Sequence, residues 1–265
     1  MTEILTQSLY NGEVKIDFYP NSHQYKIDKK NKISVTAATG IVDKSQVLLR
    51  WAGRLTEAYL TDVIESGNQI RIKDIQKAVM QHAEKKEEAA DLGTIVHQWA
   101  EDYAAGKNPK LPEDEKALNG VLGFLKWASE NDVKFVETER LIYSRKHDYV
   151  GKFDIIFTMG REDHKILHIG DYKTASGIYS TTYYQTAGYN GAYIEEFPEK
   201  NIGTSWVLRF AKEDKFKDGK LIEEAGTFET KEISLEDHEK NYATFLACLA
   251  VKRREKELET NWRKS

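Results

Sequence analysis

The chain has 265 residues, 40% hydrophobic and 11% aromatic, with a formal charge of −4 and a pI near 6.0, which excludes a chain disordered throughout and fits one large or two small globular domains. An acidic total excludes coating of nucleic acid by bulk electrostatics, although a local groove can still be basic. Cys248 is the sole cysteine, so one chain forms neither a disulfide nor a four-cysteine zinc or iron–sulfur site.

Residues 13–28 alternate apolar and polar about Pro20-Asn21-Ser22, which predicts a β-hairpin carrying Val14, Ile16, Phe18, Tyr25 and Ile27. After Ser34-Val35-Thr36 the period changes. Val47, Leu48, Trp51, Leu55 and Tyr59 recur at helical spacing over Gln46 to Leu60, a more polar helix is expected between Ile72 and Glu88, and another over Asp91 to Ala105, closed by Gly106 and Pro109. A helix over Glu113 to Asn131 follows. Strand-like runs then cover Phe135 to Tyr143, Tyr149 to Thr158 and Ile166 to Lys173, separated by turns at Arg145 to Asp148 and Gly160 to Asp163. Helical spacing returns over Thr181 to Glu196, strands fit Thr204 to Phe210 and Gly226 to Ile233, and Leu235 to about Lys256 predicts a closing helix. No repeat or Pro/Ser-rich linker interrupts the chain, so one compact α/β unit is expected, with a hairpin and accessory helices over 1–90 packed on a core over 91–265. Met1 to Gly12 lacks a signal-like pattern and no apolar run approaches ~18 residues, which predicts a soluble, cytoplasmic protein with no membrane partner.

The chemistry concentrates in Ile169-Gly170-Asp171-Tyr172-Lys173-Thr174 and Val150-Gly151-Lys152-Phe153-Asp154. Acids on apolar strands are costly unless paired or bound to a cation. The alternative is that both acids cap strand ends and pair with Lys152 or Lys173. Asp171 and Lys173 are two apart, so in a strand they leave the same face and can converge on one phosphate, with the Tyr172 backbone carbonyl as a further metal ligand. An ordinary surface ion pair is the competing reading. His97 and Glu101, four apart on a helix, suit a metal ligand and a second acid, although a lone histidine on an apolar helix is more often a core residue. Gln185 and Tyr189 repeat that spacing and could bond phosphate and stack on bases, or simply pack in the core. Arg50 and Trp51 form a similar basic–aromatic pair of low specificity. No Walker, G-x-G-x-x-G, G-x-S-x-G or H-E-x-x-H motif is present, so no nucleotide cofactor is expected.

Taken in order, G-x-x-x-H-x-x-x-E at Gly93 to Glu101, G-x-x-D at Gly151 to Asp154, D-x-K at Asp171 to Lys173 and Q-x-x-x-Y at Gln185 to Tyr189 resemble the RecB-type branch of the PD-(D/E)XK nuclease superfamily. The start, from Phe18-Tyr19-Pro20 to the Trp51 helix, looks like the front of small stand-alone, often phage-encoded exonucleases of that branch. The resemblance implies a restriction-endonuclease-like core, a central mixed β-sheet flanked by helices with the metal site at one sheet edge. It implies His97, Asp154 and Asp171 as Mg2+ or Mn2+ ligands, Lys173 as the catalytic lysine, Glu101 as a site acid, and Gln185 and Tyr189 as DNA contacts. Relatives in CRISPR adaptation hold an iron–sulfur cluster on four cysteines, which Cys248 alone cannot provide, and the mitochondrial members carry a transit segment that this chain lacks.

The reading is therefore a metal-dependent DNA exonuclease acting on single-stranded or frayed ends in replication, recombination or repair, in a bacterial host cytoplasm if phage-encoded. A single-strand-binding or recombination protein is a further expected partner class. A catalytically silent binding protein on a nuclease scaffold, and a structure- or sequence-specific endonuclease, are the alternatives.

Overall fold

The computed structural model describes residues 4–160, 166–217 and 219–262, with the backbone alone over 85–90. The N-terminal alternation closes as expected, with β1 (Leu5–Leu9), β2 (Val14–Tyr19), β3 (Gln24–Ile27) and β4 (Lys30–Asn31) forming a small antiparallel sheet in that order. Ile16, Phe18, Tyr25 and Ile27 share a buried cluster with Leu141 and Val150, so this sheet is stacked on the main one. A two-residue strand, β5 (Ile33–Ser34), leads into α1 (Val35–Thr39), where the Ser34 hydroxyl caps the helix by accepting the Ala37 amide at 3.1 Å.

Two long helices follow, α2 (Ser45–Glu65) and α3 (Ile72–Ala104). The two helices expected on either side of residue 90 are a single helix of 33 residues, about 50 Å long at 1.5 Å per residue. No Pro interrupts it, and the Ala, Glu and Lys of its middle carry high helix propensity without an apolar stripe. α2 leans on α3, the Thr56 hydroxyl donating to the Ala78 carbonyl of α3 as well as to Ala52 of its own helix, and Ala52, Leu55 and Tyr59 are half-buried. None of its residues is fully buried, and Val47 and Leu48 stay exposed despite their helical spacing.

The remaining elements are α4 (Glu115–Glu130), β6 (Lys134–Ser144), β7 (Tyr149–Thr158), β8 (Leu167–Ala175), α5 (Ser180–Glu196), β9 (Ile202–Ala211), a ribbon of β10 (Lys215–Lys217) and β11 (Lys220–Glu223), β12 (Phe228–Ile233) and α6 (Leu235–Trp262). Beyond Gly160, the turn expected up to Asp163 lies outside the described residues. The main sheet is mixed, ordered β12-β9-β8-β7-β5 with β6 also on β7; the β5–β7 and β8–β9 pairs are parallel and the others antiparallel. The α/β class and the helix-flanked mixed sheet are as expected. On one face, α3 and α4 pack Val96, Trp99, Val121 and Phe124 against Ile155, Phe157, Tyr172 and Phe210. On the other, α1, α5 and α6 pack Val35, Tyr189, Tyr193 and Phe245 against Tyr149, Phe153, Ile156 and Ile169. Among the described residues no helix is long and apolar enough to cross a membrane.

One irregularity of the sheet sets the stage for chemistry. Tyr149 and Val150 pair with both β5 and β6, while Ile155 to Phe157 pair with both β6 and β8. β5 and β8 therefore share one side of β7 and leave a fork between them at Gly151 to Asp154. Neither ladder includes Asp154, and Glu139 opposite it adopts a left-handed φ of 51° that breaks the β6 side as well.

Candidate active site

Asp154 and Asp171 face each other where β7 and β8 part, just past the last paired residues, Ile155 and Gly170. This is the interior of the sheet, not the edge position that the family resemblance implies. The Tyr172 amide, released from the β7 ladder by the fork, donates to Asp154 Oδ2 at 2.6 Å. Tyr172 contributes this amide and its buried ring, which meets the His97 ring edge-on at 5.4 Å between centroids.

α3 lies directly over the end of β8. Gly93 suits this approach, because a Cβ there would sit 3.3 Å from Thr174 Cβ, a tight contact. One turn later His97 Nε2 lies 3.3 Å from Asp154 Oδ1 and 3.5 Å from Glu101 Oε1. That nitrogen is buried and faces both carboxylates without a well-aligned hydrogen bond to either, an arrangement that a cation between the three groups would also satisfy. His97, Glu101 and Asp154 each offer a ligand atom within 4.8 Å of the others, so the donor set fits a divalent ion. Asp171 lies outside that trio, its Oδ2 engaged by Lys173 Nζ. Lys152 pairs with Glu139 and Asp154 with His97, so Asp154 does not form the lysine cap considered as the alternative, whereas Asp171 does pair with Lys173.

The electrostatics follow from crowding buried acids around few cations. Burial, reinforced by Asp154, pushes the Asp171 carboxyl up to about 6. Burial likewise raises Glu101 to about 7, with the His97 charge opposing it. Burial also opposes ionisation of Asp154, but its bond to His97 and the Lys173 charge hold it below the usual range. Burial would lower His97, yet Asp154, Glu101 and Asp171 outweigh it and hold the imidazole above its ordinary value. For Lys173 the carboxylates of Asp171 and Asp154 likewise outweigh burial.

The other candidate residues lie around this centre. Gln185 Nε2 donates to Thr39 Oγ1 at 3.1 Å and ties α5 to α1. Tyr189 is 3% exposed, and its ring occupies the space over Gly151, where a Cβ would approach Cε1 to 2.9 Å. The expected DNA contact at Tyr189 is corrected to core packing, since a ring enclosed by α5 and β7 has no face for a base. Arg50 is exposed on α2 and, with Val47, Gly53, Arg54 and Glu57, lines an open groove of about 530 Å3. Trp51 is half-buried under Lys212, whose Nζ lies 5.5 Å from the ring. Neither joins the acidic cluster. Sequence reasoning missed Glu139, an acid in an exposed-looking strand, and Arg209, whose buried guanidinium donates to the Ala175 carbonyl at 2.8 Å and pairs with Glu223 and Glu229.

No family model matches the chain, and no curated protein matches it. Among solved structures, a protein from Eubacterium rectale named "Putative exonuclease" is similar over 62% of this chain and 68% of its own, with 11% identity and a TM-score of 0.38.

Proposed function

We propose that the chain is a divalent-metal-dependent DNA exonuclease acting on single-stranded or frayed ends. The observation that supports this reading is the buried His97 Nε2 facing two carboxylates within reach of one ion, with Asp171 and Lys173 alongside on the next strand. His97, Glu101 and Asp154 would hold Mg2+ or Mn2+, with Asp171 and the Tyr172 carbonyl as further candidates. When bound, the cation supplies polarisation of a phosphoryl oxygen and acidification of a water. Lys173 Nζ, held at the site by Asp171, presents positive charge to the phosphate, where charge builds during displacement. The Tyr172 amide fixes Asp154 and leaves Oδ1 aimed at His97. In the metal-free site Glu101, with a carboxyl near 7, holds a proton over part of the neutral range, which a bound cation would displace. Arg50 and Gln185 remain candidate contacts to the sugar–phosphate chain, and Trp51 to a base.

The test is incubation of purified protein with end-labelled linear and covalently circular single-stranded DNA in Mg2+, Mn2+ or chelator. Metal-dependent shortening of linear strands with circles spared is the expected result. Circles cut as fast as linear strands would overturn end dependence, and no cleavage under any condition would favour a binding protein on this scaffold.

A further inference from the structure

The ribbon formed by β10 and β11 is built against its own stability. It is a two-stranded sheet that no other strand joins among the described residues, and such ribbons are marginal in water without an apolar face to bury. Its cross-strand pair Phe216 and Leu221 is instead exposed, at 63% and 46%, with Ile222 beside it at 56%. At the turn, Lys217 stands directly opposite Lys220, like charges in the arrangement that weakens a strand pair. Neither ammonium has a carboxylate within ion-pair distance among the described residues; Asp218, between them in sequence, lies outside these.

The base of the ribbon, by contrast, is fixed firmly to the end of β8. Arg209 is 1% exposed, pairs with Glu223 at the end of β11 and donates to Ala175, four residues after Asp171. Lys215 closes on the same Glu223 at 3.1 Å. Desolvating a guanidinium costs several kcal/mol before its ion pairs are counted, and here it holds an exposed ribbon at the acidic end of the sheet. Lys217 lies six positions after Ala211, which pairs with Ala175, so the turn lies within ~20 Å of that strand end.

We propose that the β10–β11 ribbon is a second nucleic-acid contact, on which Phe216 stacks an unpaired base on one face while Lys217 and Lys220, on the next rung and the opposite face, neutralise phosphates where the strand crosses the turn. This rests on the nuclease reading of the His97 site and assigns it a substrate with unpaired bases. A single strand removes both anomalies at once: its phosphates relieve the facing lysines and its base faces cover Phe216. A fully paired duplex offers only the first.

The test measures binding of a fluorescein-labelled single-stranded 20-mer and a blunt duplex of equal length, in EDTA and over a salt series. The proteins are the full chain, Phe216→Ala and Lys217→Gln/Lys220→Gln. Phe216→Ala should weaken single-strand binding about tenfold, at the lower end of what one base stack contributes, and alter duplex binding less than twofold. The double lysine variant should flatten the slope of log Kd against log salt by about 1.4, at ~0.7 per phosphate on a single strand. If the unaltered chain cleaves linear strands with Mn2+ but both variants bind them normally, the ribbon assignment falls and the nuclease reading stands. If the variants keep single-strand binding but lose affinity for phosphatidylserine vesicles, the ribbon is a membrane contact and the assignment is overturned. If the unaltered chain neither binds nor cleaves DNA, the nuclease reading fails and this one falls with it.

Discussion

Glu101→Gln is the sharpest probe of the proposed metal site, because it separates a ligand set raised by burial from an incidental cluster of acids. Burial lifts the Glu101 carboxyl from an ordinary 4.5 to about 7, so at pH 6 only ~10% of molecules carry it ionised, whereas an unshifted glutamate would be almost wholly ionised. A cation using this oxygen must displace the proton, which weakens its apparent affinity about tenfold between pH 8 and pH 6. His97, also held above its ordinary value, adds at least about fourfold over the same interval. Asp154 is depressed and stays ionised throughout, adding nothing. The pH 8 to 6 loss of Mn2+ affinity should thus be about tenfold smaller in Glu101→Gln than in the unaltered chain, measured by titration calorimetry. The sign is fixed by the direction of the shift. A raised carboxyl stabilises the metal-free fold below its unfolded pKa, and that stability is lost as pH rises through about 7, where the cation restores it. Equal pH dependence in the two proteins would refute both the burial of Glu101 and its place in the metal trio.

Lys173→Ala should lower the cleavage rate at least a hundredfold while DNA affinity in EDTA changes less than about threefold, as befits a charge serving the transition state; near-full activity would remove Lys173 from the site. Gly151→Ala drives a Cβ to 2.9 Å from the Tyr189 ring, so chemical denaturation should show a loss of about 1–3 kcal/mol. Tyr189→Ala should cost about 3–5 kcal/mol by the same measurement, as a core truncation does; a stable protein with weakened DNA binding would restore it as a surface contact. Arg209→Met leaves Glu223 without its buried partner and should destabilise the protein by about 3 kcal/mol or more.

The N-terminal hairpin was legible because its buried residues alternate against one core face, as Ile16 and Phe18 do, and β7 and β8 because they are apolar runs bounded by turn residues and buried on both faces. The break expected in α3 was misread for the same reason in reverse. A helix held by propensity through a charged middle leaves no apolar stripe to read there. β1 and β5 escaped notice because Leu5–Leu9 alternates weakly and Ile33–Ser34 is two residues long, so both are strands only by virtue of what they pair with. In the site, spacing placed His97 and Glu101 on one helical face and Asp171 beside Lys173. It could not show that Glu101 joins Asp154 around His97, since that depends on how closely Gly93 lets α3 approach β8. Tyr189 was ambiguous in sequence because the same ring chemistry serves stacking and packing, and only its enclosure decides.

The uninterrupted α3 has a mechanical consequence. The same rod carries His97 at one end and half of the helical hairpin with α2 at the other, and the contact of Gly93 with Thr174 pins its phase to the sheet. Each residue inserted between Ile72 and Gly93 would swing the hairpin tip by about 100° and advance it ~1.5 Å without displacing the imidazole. The azimuth of the tip about the rod is therefore geared to the length of this stretch. Variation in that stretch could re-aim the hairpin around an unchanged His97.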